Sequence, residues 1–236
     1  MALAGGQVTD HGMRQRWRSL LFVHAPVAPE VVAARLPAGL EPDLLDGQAW
    51  VSMVFFRMEG IQFVGMPPIP GATAFPEFNV RTYARHVASG KTGVWFDALL
   101  ASQGVAVAVA RRTFGLPYVW ARSMRVTESD TDCVYAAGWR GQRFTAACEV
   151  GRSCGTAMTE RERWLVERYR LFSVRRGVLC EGLVDHRPYP LCGLRSWRAD
   201  GGMATAFGYP ELDFGHAHFS RGVDVRVGRL TAVSDN

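Results

Sequence analysis

The sequence has 236 residues, of which 48% are hydrophobic and 21% charged, a balance that excludes a disordered or fibrous chain and allows a sizeable core. The net charge of +5 does not predict nucleic-acid binding: the cations are almost all arginines scattered along the chain, and Lys91 is the sole lysine. The longest apolar stretch, Val94 to Ala110, is interrupted by Asp97, Gln103 and Gly104, so no segment reaches the roughly 18 apolar residues a membrane-spanning helix needs.

In chain order, Ser19–His24 is apolar and β-prone, and Pro29 fits the first turn of a short helix over Pro29–Arg35, with Glu30 near its positive end. Leu36-Pro37-Ala38-Gly39-Leu40 closes that helix. Gln48–Glu59 and Phe78–Val87 read as strands, the second setting Phe78, Val80, Thr82 and Ala84 against Asn79, Arg81, Tyr83 and Arg85. Between them, Met66-Pro67-Pro68-Ile69-Pro70-Gly71 carries too many prolines for regular structure. Thr92–Leu100 predicts another strand, and Ser102 an N-cap for a helix over Val105–Thr113 that turns Val105, Val109 and Ala106 inward. Gly115 and Pro117 end this helix.

From Tyr118 the pattern is strongly β, over Val119–Val126, Cys133–Trp139 and Arg143–Val150. Thr159-Glu160-Arg161-Glu162 matches a capping box opening a helix to Arg168, with Trp164 and Leu165 as its apolar positions. Short strands follow at Leu171–Val174, Leu179–His186, Leu191–Trp197, Met203–Phe207 and Val223–Leu230. The expected fold is α+β, with antiparallel strands dominating, in a single domain over 1–236 whose ends, 1–13 and 231–236, are mobile. Neither a Gly-x-Gly-x-x-Gly turn nor a phosphate loop occurs, and no cofactor is expected. Five cysteines, an odd number without a Cys-x-x-Cys pair, read as reduced, mostly buried thiols. The basic N-terminal segment lacks the apolar block of a secretory signal, so a cytoplasmic protein without a membrane partner is expected.

Glu77, Asn79 and Arg81 alternate along one strand and share a face. A carboxylate, an amide and a guanidinium on one wall could bind and protonate an oxyacid; on an outer face they are a surface ion pair and a solvated amide. Tyr118 could donate to a carbonyl oxygen developing negative charge, or be a core phenol with a satisfied hydroxyl. Arg111 could clamp a carboxylate or cap its own helix. His216 and His218 alternate but lack a third ligand, so no metal site is expected. His24 and His186 read as structural hydrogen-bonders.

Several segments resemble, in order, the YqjF-like family of bacterial domains of unknown function. They include Trp17-Arg18-Ser19-Leu20-Leu21-Phe22-Val23-His24, Leu36-Pro37-Ala38-Gly39-Leu40, Phe78-Asn79-Val80-Arg81-Thr82-Tyr83, Glu167-Arg168-Tyr169-Arg170-Leu171 and His186-Arg187-Pro188-Tyr189-Pro190-Leu191. The chain departs from that family at Ala25 and Tyr189, where a tryptophan is usual. More remotely, Ala108 to Tyr118 is similar to the segment of acetoacetate decarboxylases that runs through an arginine to a proline and two lysines. That resemblance implies a closed, strongly bent antiparallel sheet around a pocket, with Phe75-Pro76-Glu77 carrying the active-site glutamate and Arg111 the arginine before the lysine pair. The lysine positions hold Tyr118 and Val119, and neither side chain can form or activate an imine. Lys91 sits in an apparent hairpin turn, Ser89-Gly90-Lys91-Thr92-Gly93, so it is not expected to substitute. The resemblance thus implies a small-molecule enzyme acting on a keto or carboxylate compound by non-imine acid/base chemistry, as a lyase, hydratase or cyclase. In it Glu77 is the acid/base, Tyr118 the carbonyl donor, Arg111 the anion anchor, Arg81 the residue positioning Glu77, and Asn79 a further binding group. The alternative is a non-catalytic carrier or sensor using the same pocket; a homo-oligomer is compatible with the fold.

Overall fold

The computed structural model describes residues 11–65, 74–200 and 202–234. The chain forms β1 (His11–Val27), α1 (Pro29–Ala33), β2 (Leu40–Pro42), β3 (Ala49–Phe63), β4 (Ala74–His86) and β5 (Thr92–Ala101). There follow α2 (Gly104–Phe114), β6 (Tyr118–Trp120), β7 (Ser123–Glu128), β8 (Asp132–Trp139), β9 (Gln142–Gly155) and α3 (Glu160–Val166). The last elements are β10 (Arg170–Arg175), β11 (Val178–His186), β12 (Leu191–Ala199), α4 (Gly202–Ala206), β13 (His216–Gly228) and β14 (Thr231–Ala232).

Seven strands close a ring in the order β5-β4-β3-β1-β13-β11-β10, with β10 returning to β5. The joints within β5-β4-β3-β1-β13 are antiparallel and long, whereas β10 meets β5 in parallel over Leu171↔Val94 and Phe172↔Trp95 only. Gly93 makes that joint possible: a Cβ there would lie 2.8 Å from the Arg170 carbonyl oxygen. From β13 the sheet continues through β12, β9, β8 and β7 and folds back over the outer surface of β1, β3, β4 and β5. Two cores result. Leu20, Phe22, Val54, Phe56 and Leu99 point into the ring. Leu21, Val23, Met53, Phe55, Phe78 and Val80 pack outward against Tyr135, Phe144 and Phe219.

Because the central strands are covered on both faces, Trp50 to Phe56 is an unbroken buried run rather than an alternating one. Both faces of β4 are buried too, so its polar residues Glu77, Asn79 and Arg81 lie on an interior wall. The fold is α+β, a strongly bent, mainly antiparallel sheet with short helices. Among the described residues no helix is long and apolar enough to cross a membrane.

Several sequence expectations are corrected. Residues 11–13 begin β1 and Thr231–Ala232 forms β14, pairing with β11, so these parts of the expected mobile ends are strand; the rest of the N-terminal segment and residues 235–236 lie outside the described residues. The proline-rich segment also lies outside them. Met203–Phe207 falls largely on helix α4, not a strand: Met203 and Ala204 bury as a helical pair against the outer core. Gln103, not Ser102, caps α2 by accepting from the Val105 amide; Ala106 turns inward as expected, joined by Val107, while Val105 is 54% exposed. The Thr159 capping box forms as expected. Cys154 and Cys192, cross-strand neighbours on β9 and β12, are disulfide-bonded; Cys133, Cys148 and Cys180 are free and buried.

Candidate active site

A narrow cavity of about 90 Å³ runs inside the ring, walled by Phe22, Val54, Phe56, Leu99, Phe114 and Tyr189 and reached by Glu77, Asn79, Arg81, Tyr118 and Arg168. Glu77 and Asn79 are 3% and 5% exposed. Tyr118 arrives from the next strand but one. Gly115, in the left-handed conformation at φ 61, caps α2, and Pro117 turns the chain into β6. There β6 runs parallel to β5 with Tyr118 beside Leu99, itself opposite Asn79. From that register the phenol reaches one pleat along and donates to Glu77 Oε2 at 3.2 Å.

Burial, opposed by the Tyr118 hydrogen bond, pushes the Glu77 carboxyl up to about 8. Tyr118 is driven well above the usual phenol range, first by burial and then by the Glu77 charge. At neutral pH the pair is therefore a carboxylic acid beside a neutral phenol; the carboxyl can donate to a ligand oxygen, and the phenol can do so once its hydroxyl turns from Glu77 Oε2 to the ligand.

Arg81 does not pair with Glu77. The two are four residues apart on one strand, about 13 Å at 3.3 Å per residue. Its Nη2 instead donates to the Leu165 carbonyl at 3.4 Å, and its guanidinium lies 5.6 Å and 5.9 Å from the Phe22 and Tyr83 ring centres. Arg111 is not in the cavity either. It lies on the exposed side of α2, where its Nε donates to the Tyr118 carbonyl at 2.6 Å and so braces the β6 backbone. Lys91 is also outside, half-buried and ion-paired with Glu181 at 3.2 Å.

Four residues outside the expected set belong to this region: Arg168 lines the cavity, and Tyr83, His24 and Ser52 lie around Arg81 behind it. Arg168 is ion-paired with Asp43 at 2.7 Å and stacks over Trp164 and Tyr83. Tyr83 Oη donates to the Leu165 carbonyl at 2.6 Å and lies 3.2 Å from His24 Nδ1. Because the phenol has one proton, His24 Nδ1 is the donor in that second contact, leaving Nε2 a bare acceptor. His24 is fully buried, its Nε2 has no hydrogen-bond partner, and burial first, then His218 and Arg81, holds its pKa well below the usual histidine range. Ser52, directly opposite Arg81 on the ladder, also has a buried hydroxyl without a partner. His24 and Arg168 lie in segments of family-like sequence, but nothing in their local periodicity marks them as interior. Among the described residues, no group of three or more His, Cys, Asp or Glu side chains is placed to hold a metal.

The model of the uncharacterized conserved protein family DUF2071 matches residues 14–224 of this chain. Uncharacterized protein YqjF of Bacillus subtilis (strain 168) is 36% identical over 183 residues, 76% of this chain and 74% of YqjF. Among solved structures, acetoacetate decarboxylase from Legionella pneumophila superposes with a TM-score of 0.66 at 14% identity, over 95% of this chain and 88% of that one. The enduracididine biosynthesis enzyme MppR, complexed with pyruvate, gives 0.67 at 15% identity over 98% and 94%. At such identities the likeness is one of fold.

Proposed function

We propose that this chain, which belongs to the DUF2071 family, is a small-molecule enzyme that moves a proton on a carbonyl compound held inside the barrel, without an imine. The observation that carries this reading is the 3.2 Å contact of Tyr118 with a buried Glu77 inside an apolar chamber. Glu77, protonated near neutral pH, is the general acid toward a carbonyl or departing hydroxyl oxygen and, once ionised, the base for a carbon-bound proton. Tyr118 donates to the oxygen as it becomes an enolate, a stabilisation that is large where water is excluded. A lyase, hydratase or cyclase reaction of a keto or carboxylate compound uses these steps. The fold neighbour MppR, complexed with pyruvate, supports an oxo acid as the ligand class.

Deuterium uptake next to the carbonyl of a methyl ketone or oxo acid, followed by NMR in heavy water, tests the proposal. The wild type is expected to exchange, and Glu77→Gln and Tyr118→Phe to exchange far more slowly while melting near the wild-type temperature. Full exchange in both variants would remove these roles. A second reading, a carrier or sensor, is favoured by Tyr118 and Val119 standing where the resembled enzymes have lysines. Native mass spectrometry showing a co-purified ligand, with no exchange activity, would favour it. We also take the chain to be cytoplasmic and homo-oligomeric, the latter tested by light scattering.

A further inference from the structure

We propose that the ligand is a short oxo acid whose carbonyl and carboxylate are separated by two or three methylene groups, with Arg81 holding the carboxylate and the Glu77–Tyr118 pair the carbonyl. This rests on the reading of Glu77 and Tyr118 given above and assigns Arg81 in place of Arg111 as the anion anchor.

The first support is charge. The chamber contains two guanidinium groups, and among the described residues the one carboxylate that pairs with either, Asp43, is committed to Arg168 at 2.7 Å. Glu167 is engaged by Tyr169 and by the Tyr189 amide, the latter at 2.8 Å. Glu77 is held neutral by burial. Arg81, 7% exposed, has no ion-pair partner among the described residues, and its buried Nε has no hydrogen-bond partner. A buried cation left in that state is expensive, and a planar fork of donors suits a carboxylate.

The second support is spacing. The Arg81 guanidinium lies 5.6 Å and 5.9 Å from the Phe22 and Tyr83 ring centres, and among the described residues it makes no ion pair with Glu77. Glu77 and Arg81 lie about 13 Å apart between Cα atoms along β4, so a ligand that meets both side chains must carry its carbonyl and carboxylate well apart. In a 2-oxo or 3-oxo acid the two groups are adjacent or one carbon apart; 4-oxopentanoate and 5-oxohexanoate hold them further apart. Phe22, Val54 and Leu99 provide an apolar wall for the intervening methylenes.

The third is volume. The cavity of about 90 Å³ has room for a small molecule only, which limits the ligand to a short chain.

Calorimetric titration with 4-oxopentanoate, 5-oxohexanoate, pyruvate, acetoacetate and 2-hexanone tests the assignment. The two longer oxo acids are expected to bind at least tenfold tighter than pyruvate, acetoacetate or the uncharged ketone. Arg81→Met should abolish that preference while keeping ketone binding. It should also melt, without ligand, at or above the wild-type temperature, because it removes an uncompensated buried charge. Arg81→Lys, which keeps charge but not the fork, should fall between. Equal affinity for ketone and oxo acids, or a preference that survives Arg81→Met, overturns the assignment. Exchange activity sensitive to Glu77 and Tyr118 but without the length preference leaves the acid/base pair standing and removes this inference. An Arg81-dependent preference without exchange does the reverse.

Discussion

Glu77→Gln isolates one buried ionisation, and its effect on stability has a sign and a size fixed by the site. In the folded chain burial raises the Glu77 carboxyl from an ordinary 4.5 to about 8. The folded state therefore retains a proton that the unfolded chain releases. Stability from this residue is fully present below the unfolded value, falls as pH rises, and is lost once pH has passed through the folded value. The gap between 4.5 and about 8 corresponds to about 5 kcal/mol, of which about 4 kcal/mol is lost between roughly pH 5 and pH 9. Glutamine at this position cannot ionise. Urea unfolding of wild type and variant at a series of pH values gives the difference directly, since titrations common to both cancel. The variant should gain on the wild type as pH rises, by about 4 kcal/mol across that range. A flat difference, or one of opposite slope, would show that Glu77 is not held in a dry environment.

Tyr118→Phe removes the hydrogen bond that partly offsets the burial of Glu77, so the carboxyl should titrate at still higher pH and exchange should slow by about 100-fold or more; an unmoved midpoint in an infrared titration would contradict this. Asp43→Ala leaves the buried Arg168 guanidinium unpaired near Arg81 and should cost about 3–5 kcal/mol in urea unfolding. Gly93→Ala drives a methyl group into the Arg170 carbonyl at the parallel joint and should cost about 1–3 kcal/mol by the same assay. Reducing the Cys154–Cys192 bridge, which spans 38 residues, should lower stability by about 4 kcal/mol, read as a shift in urea midpoint with and without dithiothreitol that Cys154→Ser abolishes.

The common face of Glu77, Asn79 and Arg81 was legible because a strand has a period of two, and all three line the chamber. Which face that is was not legible. Both sides of β4 are buried, so periodicity offers no inside or outside, and only ring closure through β10 and β11 makes the polar side interior. Family-like sequence pointed to Glu77 and Tyr118, but their meeting depends on β6 lying parallel to β5, a pairing no local pattern encodes. Arg111 was misplaced because a helix end in sequence does not say which way its side chains turn. The apolar run at Met203–Phe207 was too short for its period to separate helix from strand. The Cys154–Cys192 bridge joins strands 38 residues apart, and thiol spacing alone does not predict such pairings.

The central claim is that Glu77 and Tyr118 together receive a carbonyl oxygen inside the barrel. A crystal structure of the protein soaked with 4-oxopentanoate tests it most directly. The ligand oxygen is expected within hydrogen-bond distance of both Tyr118 Oη and the Glu77 carboxyl, the methylenes against Phe22 and Val54. Density for the ligand outside the ring, or inside it with the carbonyl turned away from both residues, would contradict the account.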